Sequence, residues 1–450
     1  MTTANTMSIL LNPVPALELC RDYRRMMSVL KLHGIPTLLL RQRGQVGEAG
    51  SRPQRSYLVH LFQQRVLGLG MAESQGVWLM GQVVNPEELA FLPAQKREGA
   101  EIKRVIACAI RSLYAVGLDY GSVLIAALSP TRIRVMDVAP GMERGEPLSL
   151  VYAEALRNFL QQVGDEQQKQ TGVTLGADPE FALRSKTGEM GIASAFLGKH
   201  GIAGCDFART ENRLENRFPL VELRPEPADE PDLLLRHLFR AMQIARSKID
   251  ESWEWIAGGM PFQGFPIGGH IHFSGVLPTF HLARKLDSYL SLPLSLVEDS
   301  GSRERRPKYG FLGDVRKQPY GGFEYRTLPS WLVTPQIARG VLTMAKLVAE
   351  QQWLLSRMPS TDLGVQMAYY KADTAFLRPI VRDLLKEMTF LPMYRHYEQV
   401  LEPFFRFLTS GKSWPAGQDF RPAWGLLPST SQNNHAIIRG EIGKLGVVYQ

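Results

Sequence analysis

Residues 268–273 read Gly-Gly-His-Ile-His-Phe, and this stretch decides the fold prediction. Side chains along a β-strand alternate between its two faces, so His270 and His272 point one way while Ile271 and Phe273 point the other. Two imidazoles on one face of a buried strand cost free energy unless they bind something. The pattern therefore indicates a strand that binds a metal ion or a phosphate group.

The same alternation recurs with charged side chains in three other apolar stretches. These contain, in chain order, Asp178 and Glu180, Glu222 and Arg224, and Glu324 and Arg326. Carboxylates and imidazoles bind divalent cations, whereas guanidinium groups bind phosphate or carboxylate. The four stretches together predict a sheet with one face that holds a metal ion and a nucleotide. Because Pro179 has no amide hydrogen, its strand is predicted to lie at a sheet edge or to be bulged there.

The composition is that of an ordinary globular protein. Of the 450 residues, 44% are hydrophobic and 21% are charged, and no apolar run approaches the ~20 residues of a membrane helix. The N-terminus shows no signal-peptide pattern, and the three cysteines are scattered, so a cytoplasmic location without disulfides is expected. The net charge of +8 suits an anionic ligand. No nucleic-acid-binding motif is recognised, so neither nucleic acid nor a membrane is predicted as a partner.

The first third of the chain predicts a separate domain without a catalytic group of residues. Residues 1–165 combine helical spacing, as over 17–32 and 148–163, with short strand-like runs such as 76–80. They predict a smaller N-terminal α/β domain of unknown role. Residues 166–172, with the sequence EQQKQTG, are polar throughout and predict a linker.

The rest of the chain predicts a larger domain and a tail. Residues 173–413 contain all four charged or histidine-bearing strands, followed by amphipathic helical patterns. Residues 414–450 contain several Pro, Ser and Asn residues and predict a loop-rich C-terminal tail.

Five short motifs in the second domain carry a resemblance to a known family. They read GADPEF, VELRPEP, GGHIHF, RRPKYG and FEYRTLPSW, in this order. Residues 173 to about 345 resemble the glutamine-synthetase-like carboxylate–amine ligases, which include glutamate–cysteine ligases. In particular they resemble the predicted bacterial and phage COOH·NH2 ligase type 2 group of amidoligases. The resemblance implies an α+β fold, in which a curved antiparallel sheet flanked by helices holds ATP and two or three Mg²⁺ ions.

The resemblance also implies a reaction and a set of site residues. The expected enzyme is an ATP- and Mg²⁺-dependent ligase that joins a small-molecule or peptide carboxylate to an amine through an acyl phosphate. The implied metal ligands are Asp178, Glu180, Glu222, His270 and Glu324. The implied nucleotide contacts are His272, Arg224 and Arg305. The implied catalytic residues are Glu324, Arg326, Arg306 and Arg316. Whether Glu226 is a further metal ligand is left open, because prolines flank it.

Two other functions and one structural interpretation stay open at this point. A metallohydrolase would use the His-x-His pair to bind Zn²⁺ and activate water. A non-catalytic relative of the ligases would hold a nucleotide without turning it over. In the structural interpretation, Glu222 with Arg224 and Glu324 with Arg326 are buried salt bridges that bind no ligand.

Overall fold

The computed structural model of the chain describes residues 9–42, 45–46, 53–73, 90–91, 98–141, 146–168, 172–208 and 217–427. The chain divides into two compact units, Met1–Gln168 and Lys169–Gln450. Both units combine helices with antiparallel sheets. No helix in the described ranges is long and apolar enough to cross a membrane. The strand predicted at 76–80 lies outside the described residues.

The first unit contains a five-stranded antiparallel sheet in the order β5-β4-β3-β6-β7, with a separate two-stranded ladder of β1 and β2. Its strands are β1 Leu40–Gln42, β2 Gln45–Val46, β3 Arg55–Phe62, β4 Arg65–Glu73, β5 Ala90–Phe91, β6 Tyr120–Ser129 and β7 Arg132–Ala139. Its helices are α1 Val14–Arg21, α2 Tyr23–Leu32, α3 Ala100–Ala115 and α4 Glu146–Gln168.

Two helix boundaries in this unit differ from the predicted ones. The helix predicted over 17–32 is broken at Asp22, whose side chain accepts a hydrogen bond from the amide of Arg25. An acceptor at this position caps a new helix, so α2 begins there. Helix α4 continues through Gly164, beyond its predicted end at Val163.

The second unit is built on a seven-stranded sheet in the order β13-β14-β12-β8-β10-β9, with β11 also paired to β8. Its strands are β8 Thr174–Arg184, β9 Ala203–Asp206, β10 Leu220–Leu223, β11 Glu254–Ile256, β12 Gly269–Ser274, β13 Val315–Lys317 and β14 Phe323–Tyr325. Its α-helices are α5 Pro231–Arg246, α6 Phe280–Leu286, α7 Leu292–Ser295, α8 Ser300–Arg305, α9 Pro335–Glu350, α10 Leu363–Lys371, α11 Thr374–Met388 and α12 Tyr394–Thr409. A π-helical turn, Asp287–Ser291, joins α6 to α7, and Ala193–Ala195 and Pro359–Thr361 form 3₁₀ turns.

Strand β8 lies inside the sheet, so of the edge position and the bulge predicted as alternatives from Pro179, the edge position is wrong. β8 pairs with β12 up to Pro179 and with β10 from Glu180 onward. The amide of Glu180 donates to the carbonyl of Gly268 on the β12 side. Because neighbouring amides in a strand point in opposite directions, the missing amide of Pro179 falls on the side where the β10 ladder has ended.

The described part of the predicted tail packs against the second unit. Residues 414–427 form turns, yet Trp414, Phe420 and Trp424 are all buried. The Phe420 ring lies edge-on to Phe181 of β8, with 5.4 Å between ring centroids. The indole of Trp424 donates a 2.7 Å hydrogen bond to the backbone carbonyl oxygen of Leu332, shortly before α9. Aromatic burial thus holds this segment in place without regular secondary structure.

The packing of α9 against α12 leads to a stability prediction. A Cβ atom on Gly340 would lie 2.4 Å from Cγ of the Phe404 ring, so Gly340→Ala must displace packed atoms. We expect a loss of about 1–3 kcal/mol in unfolding free energy, measured by thermal and denaturant unfolding. Gly164→Ala is the control, because a Cβ there meets nothing within 4 Å. It should be neutral or stabilise α4 by up to about 1 kcal/mol. Equal stability of Gly340→Ala and the parent would contradict the packing described.

Candidate active site

The register of the second sheet brings the predicted site residues to one face. Directly opposed residues in antiparallel strands share a face. The opposed pairs are Asp178 with His270, His272 with Glu324, Glu324 with Arg316, and Glu180 with Glu222. The polar face thus runs across five neighbouring strands, as the alternation in the sequence predicts.

A first cluster of candidate ligands surrounds Asp178. One ligand atom each of Asp178, His272 and Glu324 lies within 4.8 Å of the others. The Oδ1 atom of Asp178 is 3.1 Å from His272 Nε2 and 3.2 Å from His270 Nδ1, and the latter is 3.4 Å from Glu324 Oε1. These four atoms are buried and form no hydrogen bond within the described part of the chain. Oxygen and nitrogen atoms that converge in this way without hydrogen bonds are suitable ligands for a bound cation.

A second cluster, formed by Glu180, Asp206 and Glu222, lies on the same face. One oxygen of each lies within 4.8 Å of the others. Glu180 Oε2 accepts a 2.7 Å hydrogen bond from the amide of Gly268, which fixes its orientation. Asp206 enters from β9, where Gly204 opposes Glu222 and Asp206 lies two residues further along the same face. Three carboxylates in this space form an oxygen-rich site that could hold a hard cation.

The pKa shifts on this face reflect two opposed effects, burial and the charges of neighbouring groups. Burial raises the pKa of Glu180. Burial alone would raise the pKa of Asp178 too, but the adjacent imidazoles of His270 and His272 outweigh it and hold that pKa well below its usual range. Burial likewise opposes the charge on His270, yet Asp178 and Glu180 outweigh it and raise the imidazole pKa. The carboxylates thus favour positive charge on this face.

Three predicted arginines lie beside the carboxylates. Arg224 forms an ion pair with Glu222, and Arg316 forms one with Glu324. The Nε atom of Arg326 is 2.9 Å from Glu324 Oε1. The salt bridges of the structural interpretation therefore exist. One of them includes Glu324 Oε1, but neither includes the atoms of Asp178, His270 and His272 that form no hydrogen bond in the described structure.

The other two predicted arginines are held elsewhere. Arg305 donates to the backbone carbonyls of Thr327 and Leu328, at 2.9 and 3.0 Å. Arg306 forms an ion pair with Glu298, and its guanidinium lies 3.9 Å from the centroid of the Tyr369 ring. Both side chains are buried, and these partners offset the cost of burying their charge. Arg305 therefore holds the chain after β14, and Arg306 holds Glu298 and the Tyr369 ring of α10. Glu226 is exposed and belongs to neither cluster.

Three residues on this face, Asp206, Gln318 and Tyr320, are not predicted from the sequence as part of the site. Asp206 ends a strand of only four residues, and its one signal is an acid two positions after Gly204 in an otherwise apolar stretch. Gln318 and Tyr320 lie in the turn between β13 and β14. Gln318 donates a 2.7 Å hydrogen bond to Glu324 Oε2, and the Tyr320 hydroxyl is 2.8 Å from His272 Nδ1. No pattern in the turn sequence distinguishes these two residues from exposed polar ones.

Comparison with known proteins gives one family and a distant structural match. The model of the family described as phage phiEco32-like COOH.NH2 ligase-type 2 matches residues 175–426. A search of curated proteins finds no significant match. Among solved structures, a bifunctional glutathione synthetase from Pasteurella multocida matches with a TM-score of 0.37 and 11% identity, over 59% of this chain and 53% of that protein. The chain thus spans about half the length of that enzyme.

The family match includes every residue of the two acidic clusters. It extends from the second residue of β8 to Leu426, past the buried tryptophan at position 424. Since the match covers more than half of the chain, the protein belongs to the phage phiEco32-like COOH.NH2 ligase-type 2 family.

Proposed function

We propose that the protein is an ATP- and Mg²⁺-dependent carboxylate–amine ligase that works through an acyl phosphate. The sheet of the second unit would correspond to the curved sheet of a glutamine-synthetase-like fold, with the active site on its polar face. One observation carries the proposal: the ligand atoms of Asp178, His272 and Glu324 converge without hydrogen bonds, beside a second cluster of three carboxylates. Two adjacent cation sites on one face are what a triphosphate substrate requires.

The residues divide into two sets of metal ligands. Asp178 and Glu324 would hold one cation with imidazole nitrogens from His270 and His272. The geometry favours His272 as a metal ligand, in place of the phosphate contact expected from the sequence, because its Nε2 lies in the first cluster. Glu180, Glu222 and Asp206 would hold the other cation. The first set has two carboxylates beside its two imidazoles, the second has three carboxylates, and hard oxygen ligands suit Mg²⁺. Bound Mg²⁺ would neutralise the triphosphate and stabilise the charge of the transferred phosphoryl group.

The arginines on the face supply the remaining positive charge. In the structure Arg316 and Arg326 pair with Glu324, and Arg224 pairs with Glu222. When cations neutralise these carboxylates, the guanidinium groups can turn to phosphate oxygens or to the substrate carboxylate, which they bind in bidentate fashion. Arg305 would position the chain that follows β14, and Arg306 would hold Glu298 and Tyr369, so neither would contact the nucleotide.

The proposed reaction has two steps. An oxygen of the substrate carboxylate attacks the γ-phosphorus of ATP, so ADP leaves and an acyl phosphate forms. The nitrogen of an amine then attacks the acyl carbon, loses a proton, and displaces inorganic phosphate to give an amide. Positioned guanidinium groups stabilise the negative charge that develops on the phosphoryl oxygens. The carboxylate belongs to a small molecule or a peptide.

The first test traps the acyl phosphate with hydroxylamine, a small reactive amine. The protein is incubated with ATP, Mg²⁺, hydroxylamine and a panel of amino acids and short peptides, and hydroxamate is measured. We expect a hydroxamate with a restricted set of carboxylates, and none without ATP or with excess EDTA. Glu324→Gln should lower the rate by about 1,000-fold, because it removes a charged ligand worth several kcal/mol in the transition state.

Glu402→Gln is the matched control for this substitution. Glu402 is 58% exposed, lies on α12 and pairs only with Arg406 in the described structure. Its rate should stay near that of the parent, and both variants should unfold at the parent's temperature within a few degrees. A Glu324→Gln variant that is folded and retains the parental rate would show that the metal assignment is wrong.

Thermal unfolding distinguishes the ligase from the metallohydrolase. We expect ATP with Mg²⁺ to raise the unfolding temperature by several degrees, because ligand at 100 times its Kd stabilises a protein by about 2.7 kcal/mol. Zn²⁺ alone should have a smaller effect, since the two clusters contain more carboxylates than imidazoles. Stabilisation by Zn²⁺ with no effect of ATP and Mg²⁺ would favour a hydrolase.

A further inference from the structure

The turn between β13 and β14 contacts the first cluster through a tyrosine. The hydroxyl of Tyr320 lies 2.8 Å from Nδ1 of His272. The other ring nitrogen, Nε2, is buried and 3.1 Å from Asp178 Oδ1, yet it makes no hydrogen bond in the described structure. The two nitrogens of this imidazole therefore have different environments. One meets a hydroxyl at hydrogen-bond distance, and the other faces the candidate ligands.

A bound cation would select one tautomer of the neutral imidazole. A neutral histidine carries its proton on one nitrogen only. A proton on Nε2 would lie beside Asp178 Oδ1, 3.1 Å away, and would leave no lone pair there for a cation. A proton on Nδ1 can be donated to the oxygen of Tyr320. The Nδ1–H form is thus the one that a cation in the first cluster requires, because it directs the Nε2 lone pair at the space beside Asp178 and Glu324.

We propose that Tyr320 is a positioning residue that holds His272 in the Nδ1–H tautomer and so presents Nε2 to a bound cation. This inference rests on the proposed metal site. A metal-bound imidazole must donate a lone pair, and the hydrogen bond at its other nitrogen fixes which atom does so. Gln318, from the same turn, acts similarly on Glu324. Its amide donates to Oε2, which leaves Oε1 directed at His270 and Arg326.

The geometry of the turn explains how Tyr320 reaches the cluster. The amide of Gln318 donates to the carbonyl of Gly322, and the amide of Gly321 donates back to the carbonyl of Gln318. Gly321 has φ of +86°, a conformation that favours glycine. A Cβ on Gly322 would lie 2.3 Å from the carbonyl oxygen of Phe273 and 2.4 Å from the Tyr320 ring. The two glycines thus let the turn and its tyrosine lie against β12.

The test compares Tyr320→Phe, which removes only the hydroxyl, with the parent. Tyr320 is 57% exposed, so the variant should fold normally. Nitrogen-15 NMR of histidine-labelled protein, at a fixed Mg²⁺ concentration that saturates the parent, reports the tautomer, and His272→Gln identifies the signal. We expect Nδ1–H in the parent and a shift toward Nε2–H in Tyr320→Phe. Mn²⁺ affinity, measured by electron paramagnetic resonance, should fall about 10- to 100-fold.

The control is Tyr23→Phe, which removes a hydroxyl that donates to the carbonyl of Met136 in the first unit. It should change neither the His272 tautomer nor the Mn²⁺ affinity. An Nε2–H signal in the parent, or a Tyr320→Phe variant with parental tautomer and affinity, would overturn the inference. Failure of the proposed metal site is distinguishable, because the parent itself would then bind no Mn²⁺, whichever tautomer it shows.

Discussion

The cost of burying carboxylates on one face of an antiparallel sheet is the constraint on which the second unit depends. Glu324 is fully buried, and Glu180 and Glu222 are only 7% exposed. A buried charge without partners is strongly destabilising, so the fold supplies Arg326 and Arg224 at fixed places beside them. The same arrangement makes the face receptive to cations. The carboxylate charge is balanced by guanidinium groups, and nearby ligand atoms of Asp178, His270 and His272 form no hydrogen bond in the described structure.

The opposite face of the sheet supplies the rigidity that such a site needs. Tyr325 alternates with Glu324 on β14 and points to the other side, where its hydroxyl donates a 2.6 Å hydrogen bond to Asp287 and lies 2.7 Å from that of Ser291. These partners belong to the π-helical turn, and all of them are buried. A shift of β14 by one residue would exchange the acid and the tyrosine between faces. The packing and hydrogen bonds on this opposite face thus fix the register that places Glu324 on the polar face.

The sequence predicts this face well because strand alternation is a local property with period two. The features that the sequence does not predict depend on how distant strands pair or on which groups a side chain contacts in the fold. Asp206 joins its cluster only because β9 pairs with β10. Arg305 lies in a run of charges typical of a nucleotide contact or an exposed loop, and only the fold reveals the carbonyl oxygens that it binds. Pro179 indicates an edge, whereas the strand changes partner at that position.

Counting bound Mn²⁺ ions tests most directly whether the polar face of this sheet holds divalent cations at two places. Electron paramagnetic resonance of the full chain titrated with Mn²⁺, with a non-hydrolysable ATP analogue present, gives the number of ions per chain. We expect at least two Mn²⁺ ions per chain in the parent and one fewer in Glu222→Gln, where only a ligand of the second cluster is altered. Absence of bound Mn²⁺ in the parent, or an unchanged number in the variant, would contradict it.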